Sequence, residues 1–385
     1  MKATIDNEQL AEAAQWALRA IPGNPPAPVL AGMLIEAGDR ALTLSGFDYY
    51  RSARATEDCE VAEPGKALVP GRVLTDLVRT FPKTRHTTLA LEGTDLTLSC
   101  GATHITLPTL PLEDYPSLPE VPAPSGTVDS TALAEAGARV AAAASTDETV
   151  MVLTGIEFTL TDDQLVLSAT DRYHFHLAHV PWQPNPKAAN SNGKGKPLNK
   201  GKVVVPADVV RDAARILADT GQADLTFTSH QFAVTAPGRV ATGRIIEGNL
   251  PDYAALFPTE FEAVATTGTE DLATAIKHIT PLLGKADPLL LDIADGQITV
   301  RAGTDDKGRG RDQVDATLLE GEPLTIAFNP HLLLKTLQQV DGPVVQMRFT
   351  TPTKPALLHA PDQADVFRGL IMPIRLTPGS SKNKD

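Results

Sequence analysis

The sequence predicts an α+β chain made of three copies of one unit, each with two helices packed on antiparallel sheet. Three observations predict it. A helix-opening segment occurs three times, an apolar strand-like segment follows each, and a strand–proline–helix segment follows that. The first landmark reads Leu10-Ala11-Glu12-Ala13, Leu133-Ala134-Glu135-Ala136 and Leu272-Ala273-Thr274-Ala275. Each comes after a polar residue: Asn7, Ser130 or Glu270. Asn7 and Ser130 are favourable N-cap types, so they are expected to start their helices. The second landmark, VLAGMLIE from Val29, VLTGIEFT from Val152 and a weaker PLLLDIAD from Pro288, predicts strands. The third reads ALVPGRVLTDLVRTF, VVVPADVVRDAARIL and IAFNPHLLLKTLQQV. Its prolines, Pro70, Pro206 and Pro330, are expected in the first helical turn, where the missing N–H has no intrahelical partner to lose.

Spacing supports the repeat. Leu10 to Leu133, Leu30 to Leu153 and Asp48 to Asp171 are each 123 residues apart. Pro70 to Pro206 is 136, and Pro206 to Pro330 returns to 124, so the middle copy holds an insertion between Asp171 and Pro206. Residues 183–202 carry five lysines, no acids, three glycines and three prolines, and read as a flexible basic loop. The expected domains are 1–120, 128–253 with the 183–202 insertion, and 254–376. A Pro-rich linker at 121–126 and a polar, disordered tail at 377–385 complete the chain.

Composition narrows the class. With 42% hydrophobic residues the chain is globular and not disordered. No run of eighteen apolar residues marks a membrane helix, and the start, MKATIDNEQLAEAA, lacks the apolar core of a signal peptide. Two cysteines, Cys59 and Cys100, fit a reduced cytoplasmic protein with two buried strand thiols. A net charge of −13 argues against nucleic acid only if charge is spread evenly, because binding depends on where charges sit.

Five stretches in order carry a family resemblance: PVLAGMLIE with its following SGFD, LPTLPLEDYPSLP at 107–119, VLTGIEF…LSATDRY at 152–173, RIIEGNLPDYAALFP at 244–258 and LIMPIRL at 370–376. Over essentially its whole length the chain resembles the bacterial DNA polymerase III beta subunit, the sliding clamp. The resemblance implies a non-catalytic processivity factor: a head-to-tail homodimer whose six domains close a ring around double-stranded DNA without reading its sequence. Implied partners are the replicative polymerase alpha subunit, the clamp loader and repair proteins, which insert a short linear motif between the second and third domains. No cofactor and no metal are implied. Carried onto this sequence, the groove uses Leu153, Thr170, Arg172, Tyr173, His174, Phe175, Pro251, Leu256, Asn329, Leu332, Met372, Pro373, Ile374, Arg375 and Leu376. MPIRL is expected to line it from an edge strand. Candidate DNA-facing positions are Arg19, Asn24, Arg72, Arg79, Arg139, Arg211, Arg215, Lys277 and Lys335, against a reading of ordinary solvated helix charges. The subunit contact falls on Ile105, Leu107, Pro281 and Leu282.

Departures from the family pattern are His174 where Arg is common, Asn24 where an Arg precedes the Pro-Pro pair, and Lys307-Gly-Arg309-Gly-Arg311 where acids are usual. They leave open a divergent paralogue that avoids mixed rings or resists groove-binding inhibitors, and a scaffold of this fold that does not encircle DNA. Enzymatic readings are weaker. His174 and His176 share a strand face and could bind zinc with Asp171 or His179, against a reading of groove histidines. Gly193-Lys-Gly-Lys196 lacks the spacing and hydroxyl of a phosphate loop, and Asp305-Asp306-Lys-Gly lacks the later Glu of a calcium loop. No G-x-S-x-G occurs.

Overall fold

The computed structural model describes residues 1–188, 196–217, 221–252, 257–284, 287–304 and 308–376. The expected tail, Lys307, Leu256 and the Gly193 end of the basic loop lie outside them. Six α-helices are described: α1 (Asn7–Ala17), α2 (Gly71–Val78), α3 (Ser130–Ala141), α4 (Ala207–Leu217), α5 (Thr269–Ile279) and α6 (Pro330–Leu337). In α1, Leu10, Ala13, Ala14 and Ala17 are buried, and in α5 Leu272, Ala275, Ile276 and Ile279 are buried. Both sets follow the i, i+3, i+4, i+7 spacing of a single apolar stripe.

The helix starts differ from expectation by one residue or more. Asp6, not Asn7, caps α1, accepting from Glu8 N and Gln9 N. Asn7 is buried instead, donating to Pro82 O at 2.8 Å and accepting from Thr87 Oγ1 at 2.6 Å. Ser130 is already inside α3, and Asp129 Oδ1 accepts from Ala132 N. Gly268 precedes α5. Only Pro330 occupies a first turn; Pro70 caps α2 and Pro206 ends its strand. The strands expected from Val29 and Val152 begin instead at Gly32 and Gly155, after 3-10 turns. A Cβ on Gly32 would lie 2.6 Å from Leu68 Cδ1, and one on Gly155 2.4 Å from Val204 Cγ1. Each strand can pair closely with its neighbour only because its first residue has no side chain.

By contact the chain forms two units: Met1–Ala134, Trp182–Asn199 and Asp212–Ile245; and Glu135–Pro181, Lys200–Arg211 and Ile246–Asp385. The middle repeat contributes to both, for a reason visible in the strand pairing. In the first unit an antiparallel sheet runs Gly65–Pro70, Gly32–Gly38, Ala41–Phe47, Arg51–Asp58, Arg239–Arg244, Gln231–Ala236, Gln222–Phe227, Gly126–Asp129. In the second the order is Gly201–Pro206, Gly155–Leu160, Gln164–Thr170, His174–Pro184, Phe367–Ile371, Ala356–His359, Val344–Phe349, Ala263–Gly268. The two orders are the same. In each, four strands of one repeat join four strands of the next, at Arg51–Asp58 with Arg239–Arg244 and at His174–Pro184 with Phe367–Ile371.

Two further sheets end on open edges. In the first unit, Glu60–Glu63, Lys2–Asp6, His86–Glu92, Asp95–Cys100 and Thr103–Pro108 form a five-stranded sheet in that order. Thr103–Pro108 pairs on one side only among the described residues. In the second unit, Leu324–Phe328, Leu289–Ala294, Gly296–Thr304 and Gly308–Glu320 follow one another. Residues 316–320 of the last strand also pair with Ala263–Gly268, which leaves one side of residues 308–315 without a strand partner among the described residues. Cys100 is buried on its strand, but Cys59 is half-buried between strands, a correction to the expected pair of buried strand thiols. Of the expected flexible loop, residues 183–184 and 201–202 are strand, and Lys200 and Lys202 pair with Asp162 (2.7 Å) and Glu157 (3.1 Å).

Candidate partner groove and basic positions

Strand Gln164–Thr170 turns at Asp171-Arg172-Tyr173 into the strand that begins at His174. Asp171 Oδ1 accepts from Tyr173 N at 2.9 Å and His174 N at 3.0 Å, and pairs with His174 Nδ1 at 2.8 Å. Thr170 Oγ1 donates to His174 O and accepts from Arg172 N. Burial pushes the Asp171 carboxyl up, but the hydrogen bonds and charge from His174 outweigh it and hold the carboxyl below its usual range. The turn holds Arg172 at φ 82°, in the left-handed region. Tyr173 is thereby left 62% exposed.

Beneath it, Phe175 and Leu370 are buried with Leu357, and Phe257 meets Phe175 edge-on at 5.5 Å. Met372 N donates to Tyr173 O at 2.8 Å, extending the pairing one residue past strand Phe367–Ile371. Thr170, Arg172, Tyr173, His174, Phe175, Pro355, Leu370 and Met372 line a cleft of about 30 Å³. Its walls are apolar apart from the turn, which suits a shallow anchor for a hydrophobic side chain. His174 has its Nε2 buried and without a partner among the described residues. Its imidazole, held by Asp171, stands where the resemblance leads one to expect a guanidinium.

Six of the sequence-named groove residues line this cleft: Thr170, Arg172, Tyr173, His174, Phe175 and Met372. Leu153, Pro251, Asn329, Leu332, Pro373, Ile374, Arg375 and Leu376 do not, and Leu256 lies outside the described residues. Asn329 caps α6 through its Oδ1, accepting from His331 N and Leu332 N. Ile374 N donates to Ala327 O. MPIRL is not an edge strand. The strand before it, Phe367–Ile371, is internal, and residues 372–376 form none. Sequence reasoning missed two lining residues. Leu370 sits in LIMPIRL two residues before Met372; Pro355 carries no sequence signal, because only the fold brings it there.

The two histidines meet edge-on at 5.0 Å, as a shared strand face requires, yet their nitrogens serve the fold. His176 Nδ1 donates to Arg139 O at 2.9 Å and Nε2 takes the Thr336 hydroxyl at 3.3 Å. Burial, then the neighbouring His174, lowers its pKa to about 3. Among the described residues no three His, Cys, Asp or Glu side chains gather as a metal site.

The basic positions divide. Arg72, Arg79, Arg211 and Lys277 are exposed and meet no carboxylate among the described residues. Asn24 is exposed too. Arg19 and Arg139 are not freely solvated: Arg19 pairs with Asp212 at 2.9 Å, and Arg139 with Asp341 at 3.1 Å and Glu135 at 3.4 Å. Lys335 is half-buried, and burial, aided by Arg211, lowers its pKa against the pull of Asp171. The side chain of Arg215 lies outside the described residues. Ile105 and Leu107 lie on the open-edged strand Thr103–Pro108, and Pro281 and Leu282 on the 3-10 turn Thr280–Leu282. A Cβ on Gly310 would lie 2.5 Å from Leu282 Cδ1, so Leu282 packs against the other open-edged strand.

Comparison with known proteins agrees with this architecture. Three family models match: the N-terminal domain of the DNA polymerase III beta subunit over residues 1–119, its central domain over 127–252 and its C-terminal domain over 254–375. The chain is 38% identical to the beta sliding clamp of Streptomyces coelicolor, over 98% of this chain and 100% of that one. It is 33% identical to the beta sliding clamp homolog GriR of Streptomyces muensis, over 97% and 99%. A sliding clamp from Pseudomonas aeruginosa solved with griselimycin is similar in fold, with a TM-score of 0.89 at 23% identity, covering 98% of this chain and 100% of that one. That of Bacillus subtilis is similar at a TM-score of 0.88 and 23% identity, with the same coverage.

Proposed function

Because the chain belongs to the DNA polymerase III beta-subunit family, the sliding clamps, we propose that it is the non-catalytic processivity factor of a replicative polymerase. Two copies close head to tail into a ring that encircles duplex DNA. The observation that carries this reading is the pair of open edges. Within each unit a four-strand edge of one repeat is capped by an edge of the next. Only two such edges have no partner strand among the described residues: Thr103–Pro108 in the first repeat and residues 308–315 in the third. They are the equivalents of the joined edges, so a second copy supplies what each lacks, and the closed assembly has no exposed edge of this kind. Ile105 of one copy, half-buried on its strand, would then face Pro281 and Leu282 of the other, with Leu107 buried behind it in its own unit. The proposed repeats are 1–120, 128–253 and 254–376.

A ring held on DNA by topology needs few phosphate contacts, and strong ones would hinder sliding. The exposed Arg72, Arg79, Arg211 and Lys277 supply sequence-independent contacts of this kind. The cleft under Tyr173 would anchor the short linear motif of the polymerase alpha subunit, clamp loader and repair proteins, an apolar side chain of the peptide entering between Phe175, Leu370 and Met372. Analytical ultracentrifugation of the full chain tests the ring. The wild type should sediment as a dimer, and Ile105→Asp, which sets a charge on the joining edge, should sediment as a folded monomer. A wild-type monomer at micromolar concentration would refute closure by these edges.

A further inference from the structure

We propose a second peptide site in the first unit, at the position that repeats the groove under Tyr173. It rests in part on reading that groove as a peptide site. The turn Asp48-Tyr49-Tyr50 matches Asp171-Arg172-Tyr173 feature by feature. Asp48 Oδ1 accepts from Tyr50 N at 2.9 Å and Arg51 N at 2.7 Å, as Asp171 does from Tyr173 and His174. Tyr49 has φ 73° where Arg172 has 82°. Arg244 N donates to Tyr50 O at 2.8 Å, just as Met372 N donates to Tyr173 O. The same strand order therefore builds the same kind of ledge twice.

The side chains make the second ledge a different site. Its cleft is about 310 Å³ against about 30 Å³. Phe47 and Tyr49 form one wall, their rings tilted and 5.8 Å apart. Tyr50 is 68% exposed and lies under the Arg244 guanidinium, 5.8 Å from ring centre to cation. Arg244 makes no ion pair with a carboxylate among the described residues, although the exposed Glu120 also lines the cleft and lies ready for a basic residue of the same occupant. Gln231 lines the cleft with its Nε2 shielded from solvent and without a partner among the described residues. An aromatic wall, a guanidinium without a carboxylate and a shielded amide donor call for an anion, a hydrogen-bond acceptor and an apolar group close together. The occupant is a short extended peptide of a partner protein, with an acidic residue beside a Leu or Phe. Its carboxylate takes Arg244, a backbone carbonyl takes Gln231 Nε2, and the apolar side chain lies on Phe47 and Tyr49.

Two fluorescein-labelled peptides separate the sites by polarisation: Gly-Ser-Asp-Leu-Phe-Asp-Gly-Ser for the first unit and Gly-Gln-Leu-Ser-Leu-Phe-Gly-Ser for the second. Each is titrated with the wild-type chain and with Tyr50→Ala, Arg244→Ala and Tyr173→Ala. All three positions are at the surface, and an unchanged thermal midpoint confirms folding. The acidic peptide should lose at least tenfold in affinity with Tyr50→Ala and Arg244→Ala, and be unchanged by Tyr173→Ala. Absence of binding, or a loss on Tyr173→Ala alone, overturns the proposal. Failure of the neutral peptide to respond to Tyr173→Ala would instead count against the groove of the second unit.

Discussion

At the residue scale, the buried His176 imidazole and the exposed Tyr173 phenol show how differently a strand and the turn that leads into it are used. His176 is fully buried, with both nitrogens committed to partners, and its pKa lies near 3 against an ordinary 6.5. The folded state refuses a proton that the unfolded chain accepts between these values. Stability contributed by the neutral ring is thus complete above pH 6.5 and is lost as pH falls towards 3, by at most about 1.4 kcal/mol per pH unit. Burial lowers His179 and His359 in the same direction, so wild-type thermal midpoints should fall across this window, and His176→Gln should flatten the profile. A variant profile as steep as the wild type would show that His176 is not the group responsible. Tyr173 is the opposite case. It is exposed and packs on no core, so Tyr173→Ala should leave the thermal midpoint within about 0.5 kcal/mol of wild-type stability. The same change should weaken a polymerase motif peptide by about thirtyfold, the value of a loss near 2 kcal/mol at a binding hot spot. Isothermal titration reads both affinity and stoichiometry.

At the element scale, close contact between α6 and strand Phe367–Ile371 positions the groove. A Cβ on Gly369 would lie 2.5 Å from Thr336 Cγ2, and Thr336 is fully buried. Gly369→Val should therefore destabilise by about 1–3 kcal/mol through overpacking, measured by urea unfolding, and should weaken the motif peptide as well because Leu370 moves with its strand. These elements were largely legible in the sequence. The three helix-opening segments located α1, α3 and α5, and the three strand–proline–helix segments located α2, α4 and α6. What stayed hidden was decided by contacts far along the chain. Asp6 and Asn7 are both good caps; Asn7 lost that role because its side chain reaches Pro82, Thr87 and Cys100. MPIRL reads as an edge strand, but the strand ends at Ile371, before it, and is internal because His174–Pro184 and Ala356–His359 pair on its two sides. Pro355 enters the groove wall through folding alone.

At the scale of the whole molecule, the repeat explains the charge. A net charge of −13 would oppose DNA if contact were made by general attraction, whereas a topological hold needs only a few local cations. Arg72, Arg79, Arg211 and Lys277 are exposed, while Arg19 and Arg139 are held by carboxylates. Affinity for linear duplex should therefore be weak and salt-sensitive, and residence on closed circles persistent. The most direct measurement loads the full chain onto a nicked circular plasmid with its clamp loader and ATP, isolates the complex by gel filtration, and then cuts the plasmid once. The protein should coelute with the circle and be released on cutting, because a ring slides off a free end. Retention on the linear product at the level seen on the circle would contradict it.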